Sequence, residues 1–238
     1  MKTCPKCHQV LPDDALFCPM DGTSLASVES DELLGSVIAD RYVLLERVGQ
    51  GNSGTIYRGE HVVLRQKIAI KLLHLELSRD EAAVDRFRQE ATTMARLDSD
   101  HIVKVSDFGV AEDGRIFFAM EYLDGQTLAQ ALGQGGKLGE ERALGIIEQV
   151  GEALSEAHAE GFIHRDIRPR NIFLTERKGK PDYVKLLDFG LAKLVEAPRG
   201  AKTTLGTNIG DPRYMSPEQA RGDLVDAPRR AVLAYRSG

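Results

Sequence analysis

A glycine-rich segment and the lysine that follows it point to phosphate chemistry. Residues 49–56, GQGNSGTI, place Gly49, Gly51 and Gly54 in the order G-x-G-x-x-G. Glycines at this spacing let backbone N–H groups approach a phosphate closely. Lys71 ends the alternating run IAIK, where its side chain can reach the phosphates of a nucleotide. Each signal is weak by itself. Dinucleotide-binding folds use the same glycine pattern, and a lysine at a strand end is commonly a solvated surface residue.

An acidic side chain on an apolar helix face supplies a further signal. The segment 80–97, DEAAVDRFRQEATTMARL, repeats apolar residues at helical spacing, namely Val84, Phe87, Ala91 and Met94. Glu90 lies on the same face as Phe87 and Met94. A carboxylate on a buried face needs a cationic partner, because an unpaired buried charge is costly. We predict that this partner is Lys71, so that both residues belong to one site.

The elements that must position these residues divide the chain into a β-rich and an α-rich part. Runs of β-branched and aromatic residues predict five strands, at 42–49, 55–63, 67–73, 102–110 and 115–123. Strands on both sides of the glycine-rich segment favour a phosphate-binding hairpin over the strand-to-helix turn of dinucleotide-binding folds. Beyond Gly125 the pattern is helical. We therefore predict an α+β fold with a β-rich lobe at 36–123 and an α-rich lobe at 124–226.

The clearest helix of the second lobe covers residues 140–160. One predicted apolar face comprises Leu144, Ile147, Val150, Leu154 and Ala157. Gly161 is expected to end this helix, because glycine readily adopts the left-handed conformation found after a helix C-terminus.

The N-terminal segment 1–25 carries a pattern of metal ligands. The spacing C-x2-C-x10-C-x2-D comprises Cys4, Cys7, Cys18 and Asp21. Two pairs of ligands at this spacing suit tetrahedral zinc. So short a segment has too little apolar mass to fold without a cross-link such as a bound metal ion. The segment resembles the zinc ribbons that precede larger bacterial domains, although their fourth ligand is normally cysteine. His8 could compete with Asp21, and a degenerate ribbon with free thiols is the alternative. Residues 26–35 are predicted to be a linker.

Composition narrows the partners and the compartment. The net charge is −5, so no basic surface for nucleic acid is expected, and no apolar run is long enough to span a bilayer. The N-terminus lacks the apolar core of a signal peptide, and all three cysteines lie in the first 18 residues. We predict a cytoplasmic protein with neither nucleic acid partner nor membrane segment.

Three further motifs complete a recognisable order. HRDIRPRN spans 164–171, LLDFG spans 186–190, and SPE spans 216–218. Following the glycine-rich segment, the strand lysine and the helix glutamate, they make the chain resemble the bacterial eukaryotic-like (Hanks-type) serine/threonine protein kinases. The resemblance covers some 180 residues. It implies a two-lobed kinase fold and ATP-dependent phosphorylation of protein Ser or Thr, with Mg²⁺ as cofactor.

The resemblance also implies roles for individual residues. Asp166 would orient the substrate hydroxyl and accept its proton. Asn171 and Asp188 would hold Mg²⁺, while Lys71, paired with Glu90, would fix the nucleotide. The remaining nucleotide contacts would come from Gly49, Gly51, Gly54, Ile56, Ala69, Glu121, Leu123 and Phe173, with Met120 at the back of the pocket. Apart from the glycines and Ile56, these residues could equally serve ordinary core packing. The stack of side chains linking the lobes would be Met94, Val105, His164 and Phe189.

The activation segment would run from 191 to 216. Its candidate phosphoacceptors are Thr203, Thr204 and Thr207. A phosphate on one of them could pair with Arg165 and order the segment. They could equally be ordinary polar loop residues.

Two positions near Asp166 depart from the family pattern. Arg168 stands where these kinases carry a lysine, and arginine is not an equivalent cation, so a reduced rate is expected. Asp211 stands where a threonine is usual, and a carboxylate there is expected to repel Asp166 and the phosphates. Arg170 occupies a position that is acidic in many kinases preferring basic substrates, which argues against that preference.

The C-terminal end departs further. After residue 226 the family pattern continues into buried helices, whereas this chain ends in PRRAVLAYRSG, and we expect a truncation or frameshift with an atypical tail at 227–238. Glu218 would then lack its partner, and the exposed surface of the second lobe could aggregate or bind a protein partner. The sequence leaves three hypotheses: an active kinase, a nucleotide-binding pseudokinase or scaffold, and an inactive fragment. The N-terminal ribbon could also bind a protein partner.

Overall fold

The computed structural model describes residues 2–3, 9–11, 19–20, 31–189, 193–194, 211–221 and 223. The N-terminal segment contains the antiparallel pair β1 (Lys2–Thr3) and β2 (Val10–Leu11). Several predicted features lie outside the described residues: the zinc ligands Cys4, Cys7, Cys18 and Asp21, the threonines Thr203, Thr204 and Thr207, and the tail at 227–238.

The first lobe is built on one antiparallel sheet with the strand order β3-β4-β5-β6-β8-β7. Its strands are β3 (Val37–Ile38), β4 (Tyr42–Gln50), β5 (Gly54–His61), β6 (Lys67–Leu73), β7 (Val105–Val110) and β8 (Ile116–Glu121). All five predicted strands are present, and β3 is an additional short edge strand. The predicted strand at 102–110 begins only at Val105, because Ile102 instead pairs with Leu186 of the second lobe.

Alternation along β6 explains why one lysine faces the site. Ile68 and Ile70 point into a core on one face of the sheet. Ala69 and Leu73 point to the opposite face, where α1 (Glu81–Arg96) packs. Lys71 shares this second face because side chains alternate along a strand. Helix α1 begins at the N-cap Asp80, whose carboxylate accepts hydrogen bonds from two backbone N–H groups of the first turn.

Residues 31–35 belong to the first lobe and correct the predicted linker at 26–35. The Asp31 carboxylate accepts a hydrogen bond of 2.9 Å from the Tyr57 hydroxyl. The Gly35 N–H donates to the Leu44 carbonyl at 2.7 Å. Leu33 packs against the core that contains Ile68 and Ile70. The polar composition of this segment concealed these long-range contacts, which only the fold provides.

The second lobe combines helices with a small sheet of order β12-β11-β9. Its elements are β9 (Gly125–Thr127), α2 (Leu128–Gly135), α3 (Glu140–Ala159), β10 (Phe162–Ile163), β11 (Ile172–Arg177), β12 (Lys180–Leu186), β13 (Lys193–Leu194) and α4 (Pro217–Arg221). Arg142 of α3 binds the Asp182 carboxylate through two hydrogen bonds, of 2.8 and 2.7 Å. No helix in the described part of the chain is long and apolar enough to span a membrane.

The buried face of helix α3 coincides only in part with the predicted one. Leu144 and Ile147 are 56% and 65% exposed, whereas Ile146, which the prediction omitted, is 3% exposed. Of the predicted residues, only Ala157 is fully buried, while Val150 and Leu154 are partly buried against the core. The helix carries apolar residues on two adjacent faces, and only one meets β12 and β10. Glu218, which was expected to lack its partner, is half-buried.

Candidate active site

A buried lysine joins three elements at the back of the cleft. Lys71 Nζ of β6 lies 2.5 Å from Glu90 Oε1 of α1 and 2.5 Å from Asp188 Oδ1, which follows β12. Lys71 and Glu90 are 7% and 5% exposed. The Lys71 ammonium also lies 5.6 Å from the centre of the Phe118 ring, within the range of a cation–π contact. The arrangement brings together three residues that the sequence assigned to one site.

Burial and charge act in opposite directions on these groups. Burial by itself lowers the pKa of Lys71, but the carboxylates of Glu90 and Asp188 outweigh it and raise that pKa above its ordinary value. Burial raises the pKa of Glu90 to about 8, against the attraction of Lys71. Burial raises the pKa of Asp188 as well, but the Lys71 charge reverses the effect and holds it below its usual range. Lys71 is therefore the fixed positive charge of the site.

The loop 164–171 holds Asp166 by hydrogen bonds from Asn171. The Asn171 side-chain amide donates to Asp166 Oδ2 at 2.9 Å and to the Asp166 carbonyl at 2.8 Å. His164, 1% exposed, donates through Nε2 to the Leu187 carbonyl at 2.9 Å, and its Nδ1 accepts from the Asp166 N–H at 3.3 Å. This pattern requires a neutral imidazole, and burial lowers the pKa of His164 in agreement. His164 thus ties Asp166 to the strand that leads to Asp188.

Backbone strain occurs at two residues beside Asp166 and Lys71. Arg165 and Asp188 have φ values of 65° and 59°, in the left-handed region that side chains other than glycine rarely occupy. Such conformations persist where surrounding contacts impose them, and they cluster at functional sites. Gln219 of α4 supplies one such contact by donating to the Arg165 carbonyl at 2.6 Å.

The two departures from the family pattern both border the cleft. Arg168 Nε lies 3.2 Å from Asp166 Oδ2. Asp211 accepts hydrogen bonds of 3.1 and 2.7 Å from the Arg213 side chain. The Arg213 hydrogen bonds, with the nearby charge of Arg168, lower the pKa of Asp211 to about 2. Arg213 therefore compensates the charge of Asp211 locally, and the expected repulsion of Asp166 and the phosphates stays a prediction.

The glycine-rich segment forms the turn between β4 and β5. The Gly51 N–H donates to the Gly54 carbonyl at 2.9 Å. A Cβ on Gly54 would lie 2.2 Å from the Leu72 carbonyl oxygen, so the fold itself requires glycine there. A Cβ on Gly49 or Gly51 would meet no protein atom closer than 3.9 Å. The fold therefore leaves Gly49 and Gly51 free for a ligand to approach.

The other predicted nucleotide contacts line one cleft of about 1240 Å³ between the lobes. They include Ile56, Ala69, Met120, Glu121, Leu123 and Phe173. Lys71, Glu90, Asp166, Asn171 and Asp188 border the same cleft. The stacked residues Met94, His164 and Phe189 are buried, and Val105 is partly buried against the same core. The structure thus assembles every predicted residue of the nucleotide and catalytic sites that it describes.

Sequence reasoning missed two residues that support this site. His74 Nε2 lies 3.0 Å from the Gly51 carbonyl and fastens the glycine-rich turn to the end of β6. Lys185 is 6% exposed and lies 2.6 Å from Glu121 Oε1. Its position within the apolar run VKLL at 184–187 was a possible signal, because a charged side chain that is buried among apolar residues needs a partner.

The comparisons with known proteins agree with this geometry. Residues 42–228 match the family model for the protein kinase domain. The chain is 43% identical over 200 residues to serine/threonine-protein kinase pkn3 of Myxococcus xanthus, covering 83% of this chain and 37% of that protein. It is 39% identical over 213 residues to Pkn1 of the same organism, covering 88% of this chain and 30% of that protein.

A solved structure shares the fold. The kinase domain of PknI from Mycobacterium tuberculosis is 30% identical, with a TM-score of 0.61, and the match covers 81% of this chain and 69% of that chain. The chain therefore belongs to the protein kinase family, and its relatives are bacterial serine/threonine protein kinases. It spans 37% or less of the length of the curated relatives named above.

Proposed function

We propose that this chain transfers the γ-phosphoryl group of ATP to serine or threonine residues of a protein substrate. One observation carries the proposal: Lys71, Asp166, Asn171 and Asp188 border a single cleft, and hydrogen bonds orient their side chains. Phosphoryl transfer depends mainly on positioning and charge neutralisation, and this arrangement supplies both. The family and its serine/threonine-specific relatives support the same reaction.

The residues present fit ATP and Mg²⁺. Asn171 and Asp188 offer an amide and a carboxylate oxygen, the hard donors that Mg²⁺ prefers. The open backbone at Gly49 and Gly51 suits phosphates, and Lys71 would neutralise them. In the described residues, neither backbone polar group of Leu123 has a hydrogen-bond partner, which leaves both for an adenine edge. When bound, Mg²⁺ would neutralise phosphate charge during transfer.

Asp166, Arg168 and Glu90 would each contribute to the transfer in a different way. Asp166, held by the amide of Asn171, would accept the hydroxyl proton at its carboxylate. Arg168, 3.2 Å from that carboxylate, would add positive charge near the transferred group but also competes for Asp166. Glu90 would keep Lys71 in place against the cost of burial.

A thermal melt of the purified 238-residue protein with and without Mg²⁺ and ATP tests binding first. A ligand at a hundredfold excess over its Kd stabilises the folded state by about 2.7 kcal/mol. Asp166→Asn should keep the rise in melting temperature that ATP causes, because it still binds the nucleotide. Its phosphotransfer rate should fall about 10²- to 10⁴-fold. Asp85→Asn is the matched control, because the Asp85 carboxylate on α1 is 74% exposed. It should change neither the rise in melting temperature nor the phosphotransfer rate.

The outcomes separate the three hypotheses. No nucleotide shift in the parent protein would contradict the proposed function and favour the inactive fragment. A shift without phosphotransfer would favour the pseudokinase. A shift with transfer that Asp166→Asn abolishes supports the kinase.

We also propose that residues 1–25 bind one Zn²⁺ through Cys4, Cys7, Cys18 and Asp21. Cys4 and Cys7 fall in the connection between the paired strands β1 and β2, as a zinc knuckle requires. Metal analysis of the parent protein and of Cys18→Ser tests this, and a parent protein without zinc contradicts it. The protein-partner role of this segment and the cytoplasmic location stay predictions.

The regulatory role of the activation segment is likewise a proposal. Arg165 Nε is buried without a hydrogen-bond partner among the described residues, which supports a site for a phosphate on Thr203, Thr204 or Thr207. Mass spectrometry after incubation with ATP would detect such a modification. Activity that is unchanged when all three threonines are replaced by alanine would contradict the role.

A further inference from the structure

Lys185 is a buried cation that the proposed reaction does not use. It lies in β12, three residues before Asp188, and is 6% exposed. Its ammonium donates to Glu121 Oε1 at 2.6 Å and to the Ile102 carbonyl at 3.2 Å. A buried ammonium is costly unless it is paired and hydrogen-bonded. These two partners therefore hold Lys185 in one position.

Glu121 connects this lysine to the nucleotide end of the cleft. It is the last residue of β8 and borders the cleft beside Leu123, whereas Lys185 does not border it. The Glu121 carboxylate also accepts from the Lys104 N–H at 2.9 Å, and the Glu121 N–H donates to the Lys104 carbonyl at 2.9 Å. The end of β8 is thus held both by the backbone at Lys104 and by the Lys185 charge.

The support beneath this contact is itself fixed. The Leu186 N–H donates to the His101 carbonyl at 2.7 Å, and the Val103 N–H donates to the Leu186 carbonyl at 3.0 Å. These bonds attach β12 to the segment 101–104, on which the end of β8 rests. Lys185 therefore connects the strand that leads to Asp188 with the backbone at 121–123.

We propose that Lys185 is a positioning residue for the nucleotide base. Lys185 holds the Glu121 side chain and thereby fixes the backbone of residues 121–123. The carbonyl and N–H groups of this backbone would bind the edge of an adenine. This inference rests on the proposed nucleotide binding. It assigns Lys185 an effect on recognition of the base, and none on the phosphates, which Lys71 and the glycine-rich turn would contact at the other end of the cleft.

Calorimetry on the 238-residue protein with Mg²⁺ tests the proposal through two nucleotides. Inosine triphosphate carries the same phosphates as ATP but lacks the 6-amino group of adenine, so the ratio of the two Kd values reports on base recognition. Lys185→Met should weaken ATP binding about tenfold while weakening inosine triphosphate much less, because only the base loses an aligned hydrogen bond. Equal weakening of both nucleotides would indicate a merely structural role and overturn the proposal.

A second variant separates stability from positioning. Lys185→Met leaves Glu121 without its cation, which destabilises the fold. Glu121→Gln/Lys185→Met removes both charges, so its thermal stability should return toward that of the parent while its discrimination between the nucleotides stays low. Discrimination that returns together with stability would overturn the proposal.

Lys104→Met is the matched control. The Lys104 side chain is 53% exposed and, among the described residues, forms an ion pair only with Asp98, at 2.9 Å, so both nucleotide affinities should stay unchanged. A parent protein that binds neither nucleotide would contradict the proposed function itself. A parent protein that binds both equally would overturn only the role of Lys185.

Discussion

Glu90 Oε1 lies 2.5 Å from Lys71 Nζ, and the same ammonium lies 2.5 Å from Asp188 Oδ1. Two carboxylates therefore share one buried cation. Burial, assisted by the negative charge of Asp188, raises the pKa of Glu90 to about 8 despite the attraction of Lys71. Lys71 keeps the pKa of Asp188 below its usual range.

This relationship predicts a pH dependence of stability. A carboxyl group whose pKa is raised on folding stabilises the protein fully below its unfolded pKa, and this contribution is lost as the pH rises through the folded pKa. From about pH 4.5 to 8, the free energy of unfolding of the parent should fall relative to that of Glu90→Gln. Urea unfolding at several pH values measures the difference, and a constant difference would contradict the prediction.

Helix α3 offers a matched pair of isoleucines for testing its buried face. Ile146 is 3% exposed and its neighbour Ile147 is 65% exposed. Ile146→Ala should lower the free energy of unfolding by about 2–5 kcal/mol through lost burial and a cavity. Ile147→Ala should change it by less than about 0.5 kcal/mol. Equal effects in urea unfolding would show that the two faces are packed alike.

Arg168 is expected to contribute charge more than shape. Arg168→Ala should reduce the phosphotransfer rate about 10²-fold, as the loss of one preorganised charge commonly does. Arg168→Lys keeps the charge and removes the Nε group that lies 3.2 Å from Asp166, so its rate should equal or exceed that of the parent. Steady-state kinetics at saturating ATP measures both variants. A rate for Arg168→Lys as low as that for Arg168→Ala would show that the guanidinium itself is required.

The contact between Tyr57 and Asp31 is expected to attach residues 31–35 to the first lobe. Tyr57→Phe removes a hydrogen bond to a carboxylate and should cost about 1.5–3 kcal/mol. Burial, assisted by Asp31, raises the pKa of Tyr57 to about 12, so the stabilisation is present below pH 10 and is lost as the pH rises through 12.

Denaturant unfolding at pH 8 and pH 11 tests this prediction. The difference in the free energy of unfolding between the parent and Tyr57→Phe should be smaller at pH 11 than at pH 8. Tyr122→Phe is the control, because the Tyr122 hydroxyl makes no hydrogen bond within the described residues, and it should cost little at either pH. A gap that does not narrow would mean that Asp31 does not hold the hydroxyl proton.

Features with a local signal could be predicted from the sequence. Alternation along residues 67–73 and helical spacing along 80–97 placed Lys71 and Glu90 on facing apolar surfaces, and a buried carboxylate demands a cation. The order of the motifs from Gly49 to Asp188 indicated the family and the fold. The sequence alone thus predicted which residues line the cleft between the lobes, through the types and spacing of Lys71 and Glu90 and through the family resemblance of the other motifs.

Only the tertiary structure decided which of several equivalent surfaces is buried. Helix α3 has two apolar faces, and the position of β12 selects the one containing Ile146. Lys185 becomes buried because the segment 101–104 packs over it and Glu121 pairs with it, and both partners are distant in sequence. The Arg213 side chain folds back onto Asp211 and compensates its charge, a contact that the sequence analysis did not predict. In each case the energy depends on contacts between side chains whose approach no local pattern encodes.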